Sequence, residues 1–130
     1  MDGSLIRFAV LAKDPDSGRS KGLLVAGHEL RDEGELSVQE HQELRLLLAW
    51  FNESLPIPKI LREAEHRRAL SWFKPQAREH IQCMWKLKAI MDRHDHFVTV
   101  LRTSDPGVVV YEDTLQIVAK PARGMRFSAS

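Results

Sequence analysis

Seven residues, Gly34-Glu35-Leu36-Ser37-Val38-Gln39-Glu40, constrain this chain more than any other stretch. Glycine readily takes the left-handed conformation that closes a helix. Ser-x-x-Glu is a capping box, in which the serine oxygen accepts the amide of the glutamate and the glutamate reaches back. A stop followed directly by a start predicts two helices over 22–55, not one. Leu23, Ala26 and Leu30 recur at helical spacing before the junction. After it, Leu44, Leu47, Leu48, Phe51 and Leu55 follow the i, i+3, i+4, i+7, i+11 rule. "LPIPK" (55–59) ends the second helix, because proline cannot continue the hydrogen-bond ladder. Each helix has a single apolar stripe, so the pair needs something else to bury against.

Strands supply it. "LIRFAVLA" (5–12) alternates Ile6, Phe8 and Val10 against Leu5, Arg7 and Ala9, which predicts an opening strand. Residues 13–22 then hold Asp-Pro and Ser-Gly, the chemistry of a loop. After the charged stretch 62–68, "ALSWF" (69–73) is a short strand. Lys74-Pro75 opens a third helix running to about Arg93, with Ala77, Ile81, Met84, Leu87 and Met91 as its inner stripe and Trp85 at one edge. Lys88 projects into that stripe, so either it snorkels outward along its methylenes or the helix is rotated from this placement. Three β-rich runs close the chain, 97–103, 108–112 and 115–120, and their short connections predict an antiparallel meander. The order β-α-α-β-α-β-β-β predicts one α+β domain over residues 1–121. Its sheet should be five-stranded, mixed or largely antiparallel, with three helices on one face. Residues 122–130 lack periodicity and are expected to form a flexible tail.

Composition sets the outer bounds. At 130 residues the chain is long enough to bury a core as one domain. The longest apolar run, "LLLAWF" (46–51), is far short of a membrane span, and "MDGSLIRF" lacks the order of a secretory signal. Cys83 is alone, which excludes an internal disulfide and fits a cytoplasmic setting. Charge is uneven: residues 1–58 carry 6 Lys/Arg against 10 Asp/Glu, whereas 59–130 carry 13 against 8. Such a split either marks an anionic partner for the basic half or lets the two halves attract each other, and its modest size favours the second.

"LAKDPDSGRSKGLLVAGHELRDEGELS", "WFNESLPIP", "ALSWFKPQAREHI", "MWKLKAIM" and "DPGVVVYEDTLQIVAKP" together resemble a family of small uncharacterised bacterial proteins. The resemblance spans about residues 5–121 and is most specific at Trp50-Phe51-Asn52, Ser71-Trp72-Phe73 and Tyr111-Glu112-Asp113. The family has no assigned activity, so the resemblance implies one bacterial domain and carries over no catalytic residue. Lys88 departs from it, an aliphatic residue being expected there.

Four features carry chemistry. "DRHDH" (92–96) offers Asp92, His94, Asp95 and His96 as metal-ligand types, although a helix end favours histidines without any metal. Cys83 has His80 one turn before it, but no oxyanion donors or orienting third group are evident. Arg67, Arg68, Lys74 and Arg78 surround Trp72 and Phe73, a mix suited to phosphate contact and base stacking. Strand alternation puts the two aromatics on opposite faces, so at least one belongs to the core. Finally, helices on one side leave a sheet face uncovered, with Arg7, Thr99, Tyr111 and Gln116 as its expected occupants. No Gly-rich phosphate loop follows a strand, and no nucleophile elbow is present. The leading expectation is therefore a non-enzymatic protein-binding module acting through that face, a regulator or inhibitor in a bacterial or phage-encoded system, or a homo-oligomer joined there. A nucleic-acid-binding protein using 66–78 is the alternative, and a small metal-dependent hydrolase the third reading. No cofactor, bound metal or membrane contact is expected.

Overall fold

A computed structural model of the chain describes residues 4–13, 20–33, 36–55, 59, 64–66 and 68–129. The element order is β1 (Leu5–Lys13), β2 (Ser20–Gly22), α1 (Leu23–Glu33), α2 (Val38–Ser54), a 3-10 turn (Ala64–His66), β3 (Leu70–Phe73), α3 (Arg78–Arg93), β4 (Val98–Thr103), β5 (Val108–Glu112), β6 (Gln116–Lys120) and β7 (Ser128–Ala129). Among the described residues, three α-helices and one antiparallel sheet bear out the α+β order. The five expected strands are joined by two short ones: β2 pairs back on β1 (Ala9 with Gly22), and β7 pairs with β4 (Leu101 with Ala129). The loop expected over 13–22 thus ends in a strand, and the tail turns back onto the sheet at residues 128–129.

The helical junction is as the sequence requires. Helix α1 ends at Glu33, and Ser37 takes an extended N-cap conformation whose hydroxyl accepts the Glu40 amide at 3.1 Å. Gly34, the expected stop, lies outside the described residues. Helix α2 buries the narrow stripe Leu44, Leu48 and Phe51 and packs principally on α1 and α3. Each such side chain contributes about 1.5–3 kcal/mol of burial. Helix α3 begins later than expected. Pro75 lies in a turn closed by the Ala77 amide on the Lys74 carbonyl at 3.0 Å, and the helix proper starts at Arg78. Its buried stripe is His80, Met84, Leu87, Ile90 and Met91. Lys88 does snorkel, reaching Asp92 one turn on.

The strand order is β5-β6-β3-β1-β4-β7, which corrects the expected meander: β5 and β6 form a hairpin, but β4 pairs with β1. Residues 104–107 therefore cross from one side of β1, β3 and β6 to the other. Four strand spacings of about 4.8 Å come to about 19 Å. Five extended steps from Thr103 to Val108 reach only about 18 Å. The connection is not even extended, because the Thr103 hydroxyl and the Asp105 carboxylate fold it back on itself. The sheet therefore has to curl, around the face on which Leu5, Leu70 and Trp72 cluster with Leu101 and Ile117. Gly107 makes the end of this crossing feasible: φ is +103°, and a Cβ there would strike the Lys120 carbonyl oxygen.

Two cores result. Ile6, Phe8, Val10, Phe73, Val98 and Val100 face the helices and form the large one. Leu5, Leu70 and Trp72 face the other way, with Leu101, Ile117 and Phe127 packed on them. The Phe127 ring meets Trp72 edge-on at 4.7 Å. Among the described residues no helix is long and apolar enough to cross a membrane.

Candidate functional site

The curl overturns the uncovered face. Arg7 and Thr99 do share it, since Arg7 lies opposite Leu101 and Ala9 opposite Thr99. But Arg7 is only 9% exposed, and its Nη1 donates to the Ser71 carbonyl at 3.2 Å, tying β1 to β3. Its guanidinium also lies over Gly22, where a Cβ would stand 3.5 Å away. Arg7 is a strut inside the sheet, not a surface group. Thr99 is half-buried.

Gln116 and Tyr111 belong to the opposite face, because Gln116 pairs with Phe73 and Tyr111 with Val118. Both are committed to Asp113. Tyr111 Oη donates to Asp113 Oδ2 at 2.8 Å, and Gln116 Nε2 to the same oxygen at 3.2 Å. The amides of Leu115 and Gln116 donate to Oδ1 at 2.8 and 2.9 Å. Burial by itself would raise the Asp113 carboxyl, but these bonds outweigh it and hold the group below its ordinary value. The hydrogen bond to Asp113, then burial, then the charge of Asp113 raise the Tyr111 hydroxyl. This cluster clamps the β5–β6 turn. Sequence reasoning named Tyr111 and Gln116 but missed Asp113, whose signal was an aspartate opening a two-residue turn.

The basic segment loses its stacking platform. Trp72 is 1% exposed and Phe73 is buried on the other face, so neither offers a ring to a base. Lys74 is ion-paired to Glu112. Arg68 and Arg78 are exposed, and Arg67 lies outside the described residues. The Trp72 indole N–H is buried without a hydrogen-bond partner.

"DRHDH" is a helix stop. His96 N–H donates to the Met91 carbonyl at 3.0 Å and Asp95 N–H to the Asp92 carbonyl at 3.2 Å, with Asp95 in the left-handed region at φ 63°. These are the two bonds of a Schellman motif. Asp92 Oδ1 accepts the Val98 amide at 3.1 Å, which starts β4. His94 Nε2 lies 3.1 Å from Glu40 Oε1, and Arg93 reaches the other oxygen at 3.4 Å, so the end of α3 is fastened to the start of α2. Burial pushes Glu40 up, but the bond and charge of His94, then the amide and hydroxyl of Ser37, bring it below its ordinary value. No group of three or more His, Cys, Asp or Glu able to hold a metal is found among the described residues.

His80 likewise turns away from Cys83. Its Nε2 lies 3.1 Å from Ser54 Oγ, and Ser54 donates its own proton to the Trp50 carbonyl at 2.7 Å. The serine lone pair then receives Nε2–H, which fixes the tautomer. The ring sits 4.6 Å from Trp50 and 6.2 Å from Phe73, a polar rivet between α2 and α3. Its partner is 26 residues away in sequence, beyond the reach of local pattern reading.

Among the exposed large apolar residues, two neighbours share one strand. Strand β5 is an edge among the described residues, and Val108 and Val109 are 69% and 46% exposed. Lysine, proline and inward charge normally blunt such edges; Val108–Tyr111 has none, only an irregularity in register between Val109 and Tyr111. The turn at 105–107 fixes one end: the Gly107 amide donates to Asp105 Oδ1 at 3.1 Å. The Asp113 clamp fixes the other. A shallow open groove of about 480 Å³ also runs along α2 and α3, lined by Glu43, Leu46, Leu47, Trp50 and Lys86. The triple-valine run was the available sequence signal for the edge, but the expected meander placed it between two neighbours. Comparison with protein-family models, curated proteins and solved structures found no match.

Proposed function

We propose that the chain is a non-enzymatic protein-binding module whose contact surface is the outer edge of β5. The observation that supports this reading is an ordered edge strand with Val108 and Val109 turned to solvent. An edge presents a row of backbone donors and acceptors, and an added strand satisfies them while the exposed side chains set specificity. The side-chain chemistry elsewhere serves the fold: His80 is bound to Ser54, His94 to Glu40, and Tyr111 to Asp113.

The test is retention of proteins from an extract of the native host on immobilised chain. Proteins held by the wild type should be lost with Val108→Lys/Val109→Lys and kept with Arg68→Ala/Arg78→Ala. The opposite pattern refutes the reading. So does salt-sensitive binding of labelled oligonucleotides that disappears in the arginine variant, because phosphate contact is what releases counterions.

A further inference from the structure

We propose that the strand received by β5 is β5 of a second copy, paired antiparallel across a two-fold axis so that two sheets become one. The inference rests on the reading of β5 as a binding edge. Antiparallel neighbours exchange N–H and C=O groups in the same pattern from both sides, so such an edge is complementary to its own copy by symmetry. Order favours a second copy over a disordered peptide. β5 is already held by Asp105 at one end and Asp113 at the other, so little backbone entropy is lost on pairing.

Charge permits it as well. Val108–Tyr111 is uncharged, and the Glu112 carboxylate is ion-paired to Lys74, so the two edges meet without bare like charges. Placing Val109 on Val109 overlays the three valines of each copy, a β-branched pairing favoured across strands. The other edge of the order is treated differently: there β7 of the same chain covers Leu101 and Arg102 of β4. One strand from each copy buries less than the ~1,000 Å² of a stable interface, and the irregularity at Val109–Tyr111 twists the edge. The dimer is therefore weak, with a Kd on the order of 100 µM.

Sedimentation of the full chain from about 10 to about 500 µM brackets that constant. The wild-type mass should rise from monomer toward dimer. Val109→Lys and Val109→Glu should each stay monomeric, and their equimolar mixture should recover dimer through opposite charges across the axis. Circular dichroism checks that each variant is folded; Val108→Lys and Val108→Glu, at the more exposed position, replace any that is not. A wild type that is monomeric throughout overturns the proposal, as does undiminished self-association of the lysine variant or a mixture that fails to dimerise. A monomeric wild type that still retains host proteins through β5 overturns only the second copy, leaving the binding reading in place.

Discussion

Asp95 closes helix α3 with φ at 63°, a conformation that an L side chain occupies at a cost. For a typical residue that cost is about 1–2 kcal/mol, and aspartate bears less of it because its short polar side chain tolerates the region. Asp95 is exposed, so no buried contact is lost when its side chain is removed. Its carboxylate also sits at the negative end of the helix dipole, a repulsion of about 0.3 kcal/mol at an exposed site. Glycine relieves both terms but returns about 0.4–1 kcal/mol through the greater freedom of the unfolded chain. Asp95→Gly should accordingly stabilise the fold by about 0.5 kcal/mol, raising the urea midpoint with the m-value unchanged. Asp95→Asn removes the charge alone and should give the smaller part of the gain, whereas Asp95→Ala should give none. A neutral or destabilising glycine would refute the assignment of 91–96 as a Schellman stop, and with it the reading of the aspartate–histidine cluster as structural.

Ser37→Ala removes the acceptor of the Glu40 amide and should cost about 1 kcal/mol, read from the same urea midpoint. Arg7→Glu sets a carboxylate beside the Ser71 carbonyl in a buried position and should cost about 3 kcal/mol or more, while Arg68→Glu stays within about 0.5 kcal/mol. Trp72→Phe strands no hydrogen-bond partner, so it should cost only lost area, about 1–2 kcal/mol, against about 3–5 kcal/mol for Trp72→Ala in thermal melts. Glu40 and Asp113 titrate below their ordinary values when folded, so their contribution is complete above about pH 4–5 and is lost as pH falls through the folded values. Asp113→Asn should flatten that acid-side loss in urea midpoints measured from about pH 5 to about pH 3.

The features legible in the sequence were local ones. Ser37 and Glu40 are three residues apart, and the stripe Leu44, Leu48, Phe51 needs only a helix to define it. Ile6, Phe8 and Val10 announced a strand because alternation is set by the backbone. Strand order was not legible. A four-residue connection ordinarily means a hairpin, but residues 104–107 bridge distant strands because the sheet curls, and curl depends on the whole packed face. The same long-range cause hid the fate of Arg7, whose place in the alternation matched a solvent face. What covers that face includes Phe127, in a segment with no periodicity to read. His80 illustrates the third limit: its proximity to Cys83 in sequence suggested chemistry, whereas its partner Ser54 lies on another helix.

Amide hydrogen exchange along Val108–Glu112 tests the central claim most directly, measured on the free chain and on its complex with a protein that the wild type retains. The account expects the outward-facing β5 amides to slow on binding while the amides of 68–78 are unchanged. Protection gained at 68–78, or none at β5 in a formed complex, would contradict it.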